Sequence, residues 1–179
     1  MQYLIAASRL LDWPSRLMGW GLKWLVAVMV LVQFANVALR YIFSSTRVQM
    51  QETVLYAHGI LFMCLAGYAV LRNDHVRVDM FYDRAGPRTR AWIDLAGIVL
   101  GVAPLCALLA WFGWPYVAAS WRIREGAMFF GGLPYTYLLK TVILVFVALL
   151  AVQALAVALR CIAVIGGAKV ALYDPEGRG

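Results

Sequence analysis

Few residues in this chain have types and spacing that could do chemistry: His58 and His75, the carboxylate of Glu52, and the polar series Gln33, Asn36 and Arg40 set in an apolar run. Two histidines in a small apolar chain raise the question of haem. Seventeen residues of helix between His58 and His75 would separate them by roughly 25 Å, so they cannot clamp one iron from the same chain. A single-histidine or intersubunit haem site, or a quinone anchor, stays open as the alternative reading. Glu52 could carry a proton, as intramembrane carboxylates often do. Its place at the very end of an apolar run equally suits an interfacial anchor, or a salt-bridge partner for Arg40 or Lys140. Gln33, Asn36 and Arg40 recur at i, i+3 and i+7 and share one helical face. Polar groups in hydrocarbon need partners, so that face should meet protein rather than lipid. Arg40 could instead hold an anionic substrate or a lipid phosphate.

The elements that must position these residues are membrane helices. Hydrophobic residues make up 64% of the 179 and charged residues 14%, a composition foreign to a soluble domain of this size. The pattern predicts an all-α integral membrane protein, one membrane domain over 1–179 with spans near 20–41, 53–71, 92–119 and 135–159. Each is long enough for about 30 Å of hydrocarbon. Cys64, Cys106 and Cys161 lie in or at the ends of apolar runs and indicate neither a disulfide framework nor a metal site. The net charge of +7 is spread between spans rather than gathered on one face, which argues against nucleic acid.

In chain order, residues 3–18 read as an amphipathic lead lying flat at the membrane surface, with Ser8, Arg9, Asp12, Ser15 and Arg16 on one face. Pro14 is expected to restart the helix, giving two short pieces or one. No clean small-x-small site follows the apolar run, so a cleaved signal peptide is not expected. In the second span Glu52, Tyr56, Gly59, Met63 and Gly67 follow one side, whose small residues permit close helix approach. The basic connection 72–90 reads as an interfacial segment on anionic headgroups. Pro104 and Pro115 supply kink points in the long third span, and Trp111, Trp114, Tyr116 and Trp121 form an aromatic belt. Lys140 opens the fourth span and Gln153 lies inside it.

Counting Lys and Arg gives eleven on the side of the termini and the middle connection, and five (Arg40, Arg47, Arg122, Arg124 and Lys140) on the other. The positive-inside rule then places both termini in the cytoplasm. No connection exceeds about 20 residues, too few to bury a core of its own. Nucleotide, zinc and nucleophile-elbow patterns do not occur, nor do the paired intramembrane acids of a carrier working alone. The residues by themselves lead to a four-helix helper subunit.

Several motifs then coincide in order: Asn36-Val37-x-x-Arg40-Tyr41, Glu52, His75-Val76-x-Val78-Asp79, Gly132-Leu133-Pro134-x-x-Tyr137-x-x-Lys140, and finally Gln153 and Arg160. Together they resemble the small membrane subunit of tripartite ATP-independent periplasmic (TRAP) transporters. The resemblance implies a bacterial or archaeal inner-membrane protein that is not an enzyme. It also implies a large multi-span partner that carries sodium and an organic acid such as a C4-dicarboxylate, and a periplasmic protein that delivers the acid. On that account Gln33, Asn36, Arg40, Glu52, His75, Asp79, Lys140 and Gln153 make structural, partner or lipid contacts; no cofactor is expected in this chain, and a bound phospholipid stays open. Arg122, Arg124 and Glu125 could touch the delivery protein.

Overall fold

The computed structural model describes residues 2–45, 47–72, 85–127, 130–168 and 170–173. Its helices are α1 (Gln2–Phe43), α2 (Val48–Arg72), α3 (Pro87–Gly97), a five-residue π-turn (Ile98–Val102), α4 (Ala103–Ile123) and α5 (Thr136–Ile165). With α3, the π-turn and α4 forming one continuous rod, four helices among the described residues are long and apolar enough to cross a membrane.

The hub is α5, which packs against every other helix, while α1 and α2 also pack on each other. Its buried face comes from Val147, Leu150, Ala154, Val157, Cys161 and Val164, a 3.6-residue stripe of the kind that turns one helical side inward. Ala91, Val157, Cys161 and Val164 form one core cluster and Cys106, Val147 and Leu150 a second, and Val70 of α2 packs against both. Large apolar side chains elsewhere remain uncovered, among them Phe34, Phe62, Leu100 and Trp111.

Small residues set the closest approach of the helices. A Cβ added to Gly67 would lie 3.0 Å from Ser15 Oγ on α1 and 3.2 Å from the Leu149 carbonyl on α5, so only glycine lets the three backbones meet there. Gly59 on the same side of α2 abuts Leu139, and the expected small-residue face of the second span is indeed its packing face.

The N-terminal lead departs from expectation. It is neither a separate piece nor restarted at Pro14, but continuous with the first span over 42 residues, roughly 63 Å at 1.5 Å per residue. Proline removes only the donor for the Leu10 carbonyl, and Ser8 and Asp12 just before it are bonded to Arg160 and Gln153 of α5. The lead's polar face is also divided: Ser8, Asp12 and Ser15 are buried against the protein, while Arg9 is exposed. In the middle connection, Arg88 and Arg90 belong to the first turn of α3, with Arg88 exposed. Pro87 stands at its start, where the missing N–H costs nothing. The remainder of 72–90, including His75 and Asp79, falls largely outside the described residues.

At Pro104 the helix widens instead of breaking. The Ala103 N–H reaches back five residues to the Ile98 carbonyl, the π-type bond that accommodates a local misfit. Pro115, by contrast, sits inside regular α4.

Candidate functional site

Polar side chains gather at both ends of the bundle. At the end that carries the chain termini, Arg160 of α5 forms a buried ion pair with Asp12 of α1, and the two side chains are 6% and 1% exposed. Arg160 also donates from Nε to Ser8 Oγ (3.3 Å) and from Nη1 to the Leu172 carbonyl (3.1 Å). Gln153, one helical repeat earlier on the same face, donates to the other Asp12 oxygen at 3.0 Å. The carboxylate thus has a partner at each oxygen, the condition under which a buried charge pair holds. This network clasps the first helix to the last.

At the opposite end the α4–α5 connection is tied down from three directions. Glu52, 3% exposed, accepts the Leu133 N–H on Oε2 at 2.5 Å. Tyr56, one turn further along α2, has its hydroxyl 3.4 Å from the Leu133 carbonyl and 3.3 Å from Thr136 Oγ1. Thr136 donates to the Gly126 carbonyl at 2.5 Å. Lys140 meets Glu125 at 2.5 Å and lies 4.2 Å over the Tyr116 ring, and Ser120 donates to the same Glu125 oxygen at 2.6 Å. The bonds from Lys140 and Ser120 hold the Glu125 carboxyl below its ordinary value. Trp121 donates to Thr141 at 2.8 Å and stacks edge-on against Tyr137.

Between α1 and α2 at this end lie two adjoining clefts that share Gln33 and Gln51. The larger, about 560 Å³, is walled by Val48, Val54, Leu55, Glu52 and His58. The smaller, about 110 Å³, is bounded by Asn36, Val37 and Arg40. Among the described residues Asn36 Oδ1 and Glu52 Oε1 are buried without a hydrogen-bond partner.

Gln33, Asn36 and Arg40 therefore do share a face, as their spacing predicts, but that face opens on a cleft and is not satisfied within the chain's described residues. Glu52 pairs with neither Arg40 nor Lys140; a backbone N–H takes the place of the expected cation, and Lys140 takes Glu125. Gln153 is fully buried. Arg122 and Arg124 are exposed at the end of α4, where Arg124 adopts the left-handed conformation (φ 45°) that closes the helix. His58 is exposed at the larger cleft, while His75 and Asp79 lie outside the described residues.

The family model for the DctQ component of tripartite ATP-independent periplasmic transporters matches residues 29–164, which takes in the last third of α1 and the later helices to within one residue of the end of α5. The chain belongs to this family. It is the small membrane subunit of a TRAP transporter, a transport component rather than an enzyme. The tripartite system also comprises a large membrane component and a periplasmic binding component. No curated protein and no solved structure was found to match it. The match begins beyond Asp12, so the α1 half of the clasp lies in the part of this TRAP subunit that the family model does not cover.

Asp12, Ser8 and Ser15 are the residues that sequence reasoning placed wrongly, at the membrane surface rather than inside. A signal was available: Ser8, Asp12 and Ser15 fall at i, i+4 and i+7 on the first helix, and Gln153 and Arg160 at i and i+7 on the last. Those are two polar stripes of complementary chemistry.

Proposed function

We propose that this chain is the scaffold subunit of a sodium-coupled importer of an organic acid in a bacterial or archaeal inner membrane, with both termini in the cytoplasm. The eleven-to-five excess of cations on the terminus-bearing side supports that orientation. Substrate and sodium are bound by the large subunit, and the acid, a C4-dicarboxylate or similar carboxylate, arrives on the periplasmic binding protein. The observation that carries the scaffold reading is the way α5 is pinned at both ends, to α1 through Asp12–Arg160 and to α2 through the Glu52-bound connection. Such double fixing makes the four helices one stiff body, suited to hold a moving partner in place. The exposed apolar faces of α1 and α4 offer the surface for that partner. The cleft bearing Gln33, Asn36 and Arg40 takes a phospholipid at the subunit boundary, and the exposed Arg122 and Arg124, beside Glu125, face the delivery protein.

Proteoliposomes test this reading. The large subunit and the loaded binding protein should import the acid down a sodium gradient only when this chain is co-reconstituted. Uptake that proceeds equally without the chain would remove the scaffold role, and uptake indifferent to sodium would remove the coupling. Arg40→Ala should reduce complex assembly, lipid retention and uptake; if all three stayed unchanged, the role given to this stripe would fall.

A further inference from the structure

One cation lies at a depth where acyl chains offer it no partner. A Cβ at Gly19 of α1 would fall onto the Tyr68 ring of α2, and Tyr68 stands one turn from Arg72, which donates to its hydroxyl at 3.1 Å. The two helices run in opposite directions, so Lys23, one turn beyond Gly19, stands level with Cys64. That is about 12 Å from Arg72 and about 18 Å from Glu52, the two charges that bracket an α2 segment free of Asp, Glu, Lys and Arg. Lys23 is thus well inside the apolar belt, yet it is exposed. Trp20 and Trp24 beside it are 66% and 64% exposed. The ammonium lies 5.3 Å from the centre of the first ring and 5.8 Å from the second.

Ionisable side chains at such depth face protein or a water-filled cavity and pair there. Among the described residues no carboxylate pairs with Lys23: Asp12 holds Arg160, Glu125 holds Lys140, and Glu52 takes the Leu133 N–H. The two indole rings attract the ammonium without neutralising it. We propose that the Lys23 side of α1 packs on a membrane helix of the large subunit that presents an Asp or Glu to this ammonium. This rests on the reading that the exposed face of α1 meets the large subunit, and goes on to name the contact and its chemistry. A second copy of the chain on a twofold axis through Lys23 would set lysine against lysine. Lipid phosphates lie nearer the Arg72 level. An extended lysine stem reaches toward such a level, but this ammonium stays beside Trp24, on the deeper side of Lys23.

The test is co-purification of the large subunit with the full chain in mild detergent. Lys23→Glu should lower recovery of the complex about tenfold by setting two carboxylates together, and Lys23→Arg should preserve it. The melting temperature of the small subunit alone should be the same for both, since Lys23 is exposed there. In the Lys23→Glu background, exchanging one intramembrane Asp or Glu of the large subunit for Lys should restore the complex. Unchanged recovery with Lys23→Glu, or failure of every such exchange to restore it, would overturn the assignment and leave the scaffold reading standing. If the unaltered chain did not retain the large subunit, both would fall. Native mass spectrometry checks the other occupant: a phospholipid lost in Lys23→Met while the large subunit stays would overturn the assignment in favour of a lipid phosphate.

Discussion

Glu52 accepts the Leu133 N–H at 2.5 Å, and the glycine before Leu133 leaves just enough room for the carboxylate to do so. A Cβ at Gly132 would fall onto both Glu52 oxygens. Gly132→Ala should therefore eject the carboxylate and cost on the order of 1–3 kcal/mol as overpacking. Glu52→Ala should cost a similar amount by leaving the Leu133 N–H without its acceptor. Since both changes open one latch, the double variant should fall well short of their sum. Thermal unfolding of the purified chain in mild detergent measures all three.

Removing one member of the Asp12–Arg160 pair leaves a charge buried alone. Asp12→Ala is expected to destabilise by about 3–5 kcal/mol, and Asp12→Leu combined with Arg160→Met to recover most of that loss. If the single change left the melting temperature and yield intact, the pair would not be the clasp described above.

Gly67 sits where α1, α2 and α5 converge. Gly67→Val should push Ser15 and the Leu149 backbone apart, costing roughly 1–3 kcal/mol or more. Gly101→Ala, in open space with nothing within 4 Å, should be neutral to slightly stabilising. Comparing the two separates steric crowding from the general effect of replacing glycine in a helix.

The Glu125 carboxyl titrates below its ordinary value of 4.5 because Lys140 and Ser120 bind its charged form. A carboxyl lowered in the folded state contributes stability that is complete above the unfolded value and is lost as pH falls through the folded one. Unfolding temperature should thus show no Glu125 contribution to its slope between pH 7 and about 5.5, and a loss below the normal glutamate range. Glu125→Gln should remove that acid-side component. The group is too exposed for the effect to be large, so matched pH series on both proteins are the measurement.

Legibility in the sequence followed the kind of information each contact carries. The packing side of α2 was readable because Glu52, Tyr56, Gly59 and Gly67 repeat at helical spacing and two of them are too small to be there for any other reason. The four spans were readable from length and apolarity. The partner of Glu52 was not, since a backbone N–H has no residue type to betray it; Lys140, the obvious cation, had a nearer claimant in Glu125 across the connecting loop. Asp12 and Ser15 misled because a polar stripe turned toward headgroups and one turned toward a buried arginine have the same period. Only pairing that stripe with the one on α5 distinguishes them.

The clasp also bears on how the subunit is made. Asp12 and Arg160 are separated by 148 residues of chain. At about 5–20 residues per second the ribosome delivers the acid roughly 7–30 s before the base that neutralises it. Throughout that interval the Asp12 carboxylate lacks the base that pairs with it in the finished bundle. Bundle closure is thereby tied to completion of the last helix, and a chain cut short just before Arg160 would keep most of α5 but leave Asp12 without its base and the polar seam open.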